Sequence, residues 1–199
     1  MSLQSVPSEE TPVSRRSSVA ASAGVGVFAA AIGYLLTYLL VASQAREAAG
    51  DTVAEWKAVA WFFYEAHLVD IEVSGQIGSF AGMSTLDLIA QSDAAGAPLL
   101  YVVPPLVLLA AGAVLAVRWN VTDLGYAVVA GAPVAIGYAV VMGLGAVATE
   151  STTETSALGI EASSSIAPAL LPAIVLGGVL YPLVFATAGA AIAAVVTTR

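Results

Sequence analysis

The stretch Val19–Ala42, V-A-A-S-A-G-V-G-V-F-A-A-A-I-G-Y-L-L-T-Y-L-L-V-A, decides the class of this chain. It runs for 24 residues without a charge. As a helix it would be about 36 Å long, enough for a hydrocarbon core of about 30 Å. Arg15 and Arg16 stand immediately before it, and a Ser-, Glu- and Pro-rich tail, residues 1–17, precedes it. That tail has no apolar period and reads as disordered.

Three further apolar runs follow. The second covers about 99–117 and ends at Arg118 and Trp119, an interfacial pair. A tight turn leads to the third, about 124–147. The fourth, about 166–196, is long enough that it must tilt or bend, and Pro168, Pro172 and Pro182 lie in it. Composition agrees: of 199 residues 59% are hydrophobic and only 10% charged, against about 25% charged in ordinary soluble domains. The expectation is an all-α integral membrane four-helix bundle, residues 18–199. A partly helical, acidic outer loop, 43–97, joins helices 1 and 2, and a polar loop spans 148–165.

Orientation follows from the basic residues. Arg15, Arg16, Arg118 and Arg199 fall on one side of this topology, and only Arg46 and Lys57 on the other. The positive-inside rule then makes both termini cytoplasmic. Eleven of the 14 acids, all except Glu9, Glu10 and Asp123, fall on the outer side. The expected location is the cell membrane, with the lipid bilayer as first partner.

Composition also excludes functions. The chain has no cysteine and one histidine, so thiolate chemistry and multi-histidine metal sites within one chain are ruled out. A formal charge of −8 leaves no basic patch for nucleic acid. No cofactor and no catalytic residue is expected: no nucleophile–base pair, phosphate loop or carboxylate dyad stands out. The four runs contain no Asp, Glu, Lys, Arg or His, which argues against a proton-coupled pump, because such groups mark proton and ion pathways. An acid-rich, lysine-poor chain suits molar salt, where the Debye length is about 3 Å. The source is read as a haloarchaeon.

The outer segment carries the candidate residues. Thr52–Val73 has helical periodicity, with Trp56, Ala60, Phe63 and His67 on one stripe. It is too charged to span, and is expected to lie on the membrane surface or cap the bundle. Trp56, Trp61, Phe63 and Tyr64 are the expected contacts for a partner, another membrane or envelope protein. His67 and Asp70, three apart, make at most a two-ligand half-site for a metal, and a hydrogen-bonded outer helix is the simpler reading. Tyr34, Tyr38 and Tyr138 lie in the outer halves of their runs. They either hydrogen-bond internally or line a small outward-facing pocket.

Small residues recur four apart in the runs, as Ser22, Gly26 and Ala30 and as Ala29, Gly33 and Thr37. Such rows allow close helix approach, either within the bundle or across a homo-oligomer interface. A faint repeat is also present. Ala31-Ile32-Gly33-Tyr34 recurs at 135–138, and Pro105-Leu106-Val107 with Ala111-Gly112-Ala113 recurs, in register, at 182–184 and 188–190. Two parallel hairpins would result.

Gly33-Tyr34-Leu35-Leu36-Thr37-Tyr38, Glu55-Trp56-Lys57, Trp61 to His67, and Tyr101-Val102-Val103-Pro104-Pro105 resemble an uncharacterised family of small haloarchaeal multi-pass membrane proteins. The resemblance covers most of the chain after residue 25. It implies the source and the four-helix topology, and it transfers no catalytic residue or substrate. The expected function is a structural or accessory membrane protein whose outer segment contacts a partner. The alternative is a small transporter or channel built from the two hairpins.

Overall fold

The computed structural model describes residues 15–77, 79–94, 96–157 and 160–197. The expected disordered tail, apart from the helix start at Arg15, lies outside these residues, as does Arg199. Helix α1 (Arg15–Ala49) contains the first apolar run and is interrupted at Val41, where φ is −131° and ψ 19°. The connection to the second run holds α2 (Glu55–Glu65), strands β1 (Ile71–Ile77) and β2 (Phe80–Leu86), and the short α3 (Leu88–Gln91). A 3-10 turn, Ala97–Val102, leads into α4 (Val103–Arg118). The third run is α5 (Leu124–Gly131) and α6 (Val134–Ala148), divided at Pro133. Strands β3 (Ser151–Ala157) and β4 (Ile160–Pro168) follow. The last run is α7 (Leu170–Pro172), a π-helical segment, Ala173–Leu180, and α8 (Tyr181–Thr197).

Four helical stretches are long and apolar enough to cross a membrane: Ser18–Ala49, Ala97–Arg118, Leu124–Ala148 and Leu170–Thr197. Their outer surface is apolar, with Phe28 71% and Leu39 78% exposed.

The expectation of an all-α chain is overturned. The two long connections form one four-stranded antiparallel sheet in the order β2-β1-β4-β3. Each connection supplies a hairpin, and β1 pairs with β4 from Ile71↔Pro168 to Ile77↔Ala162. The start of the fourth run is corrected by the same finding. Residues 166–168 close β4, and the helix begins at Leu170. The strands escaped the sequence reading because three of them are rich in Ser, Thr, Gly and Ala. Both faces of the sheet are largely wet, so the alternation that marks a half-buried strand is weak.

Glycines set the helix crossings. A Cβ on Gly26 would collide with the Val134 carbonyl, and one on Gly137 with the Ala23 carbonyl. Likewise Gly112 lies against the Ala186 carbonyl and Gly189 against that of Leu109. Both crossings, α1 with α6 and α4 with α8, are reciprocal: each helix offers a glycine to a carbonyl three residues before its partner's glycine. The second uses the register in which Ala111-Gly112-Ala113 repeats. The sheet does not follow this two-fold pattern. A two-fold relating the hairpins would set β1 beside β3 or β2 beside β4, whereas β1 lies beside β4. The small residues of the spans thus pack internally, and Ser22 donates to the Ala130 carbonyl at 2.9 Å.

Candidate functional site

Helix α2 joins the two hairpins to the spans. The sequence periodicity anticipated it, but it is shorter than Thr52–Val73. It ends in a left-handed cap, with Leu68 at φ 59°, the Val69 N–H on the Tyr64 carbonyl at 3.1 Å and the Leu68 N–H on that of Glu65 at 2.8 Å. This is the Schellman pattern. It turns the chain abruptly into β1. The helix does not lie on the surface: every residue from Ala58 to Glu65 is buried.

Polar contacts fix α2 from both sides. On α1, Tyr34 Oη donates to the Trp56 carbonyl at 3.0 Å and Tyr38 Oη to Glu55 Oε1 at 2.9 Å. Arg46 pairs with Glu55 at 2.9 Å. The hydrogen bonds from Tyr38 and Arg46 hold the Glu55 carboxyl below its ordinary pKa. Opposite, Trp61 Nε1–H donates to the Thr149 carbonyl at 3.1 Å and Tyr64 Oη to the Met142 carbonyl at 2.6 Å. Burial raises the Tyr64 phenol. Lys57 Nζ reaches the Glu150 carbonyl at 2.5 Å and sits 5.7 Å from the Trp56 ring centre.

His67 is fully buried, and both ring nitrogens are occupied. Nδ1 is 2.7 Å from the Phe63 carbonyl and Nε2 2.7 Å from Tyr138 Oη. A carbonyl only accepts, so Nδ1 carries the proton; in the neutral ring Nε2 accepts from the tyrosine. Phe63, Tyr138 and Tyr181 pack around the imidazole at ring separations of 4.6, 5.7 and 5.1 Å. Gly177, in the π-helical segment, faces the His67 Cβ. Eight residues is long for a π segment, and such insertions concentrate at functional sites. Burial pulls the imidazole down to about 4, against the opposing effect of the Phe63 carbonyl.

Glu65 is the residue that the sequence reading passed over. Its carboxylate accepts from Leu88 N–H at 2.8 Å and Ile89 N–H at 2.9 Å, while Asp87 accepts from Ala90 N–H at 2.8 Å. Together they satisfy the first three amides of α3. Burial pushes the Glu65 carboxyl up to about 7; the two N–H bonds oppose this, and Asp87 and Asp70 add to it. Its place at the end of the unbroken apolar run Ala58–Tyr64 is the signal that could have found it.

Of the four aromatic residues assigned to a partner, Trp61, Phe63 and Tyr64 pack inside the molecule, and Trp56 is 46% exposed. Tyr34, Tyr38 and Tyr138 all hydrogen-bond internally. His67 and Asp70 do not form a half-site: the ring nitrogens are engaged elsewhere, and Asp70 is exposed, its carbonyl accepting from Ala169 N–H at 2.9 Å. Among the described residues no group of three or more His, Asp or Glu could hold a metal ion.

The two buried titratable groups act in opposite senses on stability. Folded Glu65 keeps a proton that the unfolded chain loses near 4.5, so its contribution falls as pH rises from about 4.5 to 7. Folded His67 lacks a proton that the unfolded chain holds below 6.5, so its contribution rises from about pH 4 to 6.5. Glu65→Gln should therefore leave a melting temperature that climbs more steeply with pH between 4.5 and 6.5 than that of the parent. An unchanged slope would remove Glu65 from this account.

Fold and site together define a class: a bundle of four helical stretches long and apolar enough to cross a membrane, locked by an aromatic helix, that carries an exposed two-hairpin sheet at one end. The chain belongs to a family of unknown function (DUF7978), whose model matches residues 1–197. No curated protein and no solved structure matches it.

Proposed function

We propose that this chain is an accessory membrane protein of the cell membrane that crosses the bilayer four times and presents its sheet outside the cell as the surface that meets a partner. The observation that carries the reading is the sheet itself. Antiparallel sheets ordinarily bury one face. This one has exposed residues on both, including Ile77, Phe80 and Met83, and among the described residues its β2 and β3 edges have no neighbouring strand. The partner-contacting outer segment of the sequence reading thus moves from the aromatic helix to the hairpins. The basic residues support cytoplasmic termini, since Arg15, Arg16 and Arg118 belong to the end of the bundle opposite the sheet. The acid-rich composition supports a haloarchaeal source.

The test is native mass spectrometry of protein extracted gently from its own membrane at high salt. A stoichiometric second polypeptide is expected, and Phe80→Asp with Met83→Asp should release it. A solitary chain, or a complex indifferent to both substitutions, would overturn the proposal.

A transporter or channel is the second reading, favoured by the π-helical segment between Pro172 and Pro182 beside His67. Phe63 packs against Gly33 of α1 and Tyr64 against Gly145 of α6, filling space between these two helices, which weighs against it. Flux of an ion or solute into liposomes carrying the purified chain would restore it.

A further inference from the structure

The strand register divides the sheet into two unlike faces. Side chains alternate along a strand, and directly paired residues share a face. Glu72 pairs with Thr85 and Ala167, Ser163 pairs with Glu154, and Glu161 with Ser156. All three strand carboxylates therefore lie on one face. The other face carries Val73, Gly75, Ile77, Phe80, Ala162 and Ile166 among serines and threonines, with no charge. Ile77 and Phe80, paired directly, are 64% and 83% exposed. Below them the row Gly82, Gly75, Ser164, Thr153 forms a shallow trough of about 500 Å³.

We propose that this uncharged face is closed by the same face of a second copy of the chain, so that two sheets form a sandwich on the membrane surface. The inference rests on the reading of the sheet as a contact surface and names the partner. Charge selects the occupant. Each copy carries a formal charge of −8, and the uncharged face lets two sheets meet without apposing their carboxylates. Geometry agrees. Two copies in one membrane share an orientation, so a two-fold axis runs along the membrane normal. With that axis parallel to the strands and midway between the two sheet centres, β1 covers β4 of the second copy and β2 covers its β3. Toward the hairpin tips large residues then meet small ones, Ile77 facing Ala162 and Phe80 facing Thr155, and nearer the bundle Val73 faces Ile166. Paired over seven residues, and with the root row of Ile71 and Pro168 already buried, the four strands offer about 400 Å² per copy at the usual spacings. That is short of the roughly 800 Å² per partner of a stable soluble interface. Confinement in one membrane, which raises effective concentration and fixes orientation, makes up the difference.

The chain has no cysteine, which makes the test direct. In a sandwich with sheets about 10 Å apart, the two copies of Ala162 lie about 11 Å from each other. Ala162→Cys in native membranes at high salt should give a covalent dimer with a bismaleimide of similar reach. Ser163→Cys, on the carboxylate face, should not. Ile77→Glu, at an exposed position, should abolish the Ala162→Cys product while circular dichroism stays unchanged. A monomer from Ala162→Cys, or a dimer from Ser163→Cys, would overturn the proposal. In native mass spectrometry, twice the chain mass supports it. One chain with a different polypeptide sinks the second copy but keeps the accessory reading, and a solitary chain sinks both.

Discussion

Gly112→Leu should destabilise the bundle by about 3 kcal/mol or more, because no space exists for the added side chain. A Cβ at this position would fall on the Ala186 carbonyl, with the Ala186 Cα only 3.0 Å away. These are backbone atoms of the opposing helix, so no rotamer change relieves the collision. Separating α4 from α8 would then also pull Gly189 from Leu109. Gly24 is the control. A Cβ there meets nothing within 4 Å, and Gly24→Leu should change stability by no more than about 0.5 kcal/mol. Denaturation of both variants in detergent checks the contrast. Similar losses at the two positions would mean that close approach to the Ala186 carbonyl is not what sets the cost at Gly112, since helix propensity alone would favour leucine at both.

Trp61→Ala should cost about 4 kcal/mol, the range for a fully buried large aromatic side chain. Trp61 is 1% exposed and caps the Thr149 carbonyl, two residues before β3 begins. Its loss should open a cavity and leave that carbonyl without its donor, so hydrogen exchange should accelerate in β3 and β4 before it does in α4 and α8. Trp61→Phe keeps most of the volume and should cost only about 1 kcal/mol, mainly for the missing hydrogen bond. Uniform acceleration across sheet and spans would show that α2 does not couple the two parts.

The four long apolar helices were legible because apolar length is a strong signal for them; the second and third were placed to within a few residues. Helix α2 was legible as a helix but not as a core element. Periodicity reports that Trp56, Ala60, Phe63 and His67 share a stripe, not what covers the opposite side. Here both sides are covered, by α1 and by α6. The sheet was illegible for the converse reason. Segments such as Ser-Thr-Thr-Glu-Thr-Ser-Ala at 151–157 carry β-branched threonines but no buried alternate positions from Ser151 to Ser156; they pair with β4 in a hairpin, and β4 in turn pairs with β1, some 90 positions away. Tertiary pairing, not local pattern, makes them strands. For the buried cluster, the sequence put Phe63 and His67 on one stripe and left Tyr138 apart from them. That Tyr138 would meet Nε2 depends on the close approach of α1 and α6 at Gly26 and Gly137.

The central claim is that the sheet stands outside the cell on four membrane spans. The most direct test labels single cysteines in intact cells with a membrane-impermeant maleimide. Phe80→Cys, at the hairpin tip, should react at once. Asn120→Cys, in the turn between α4 and α5, should react only after the membrane is opened. Labelling of Asn120→Cys in intact cells, or protection of Phe80→Cys, would contradict the account.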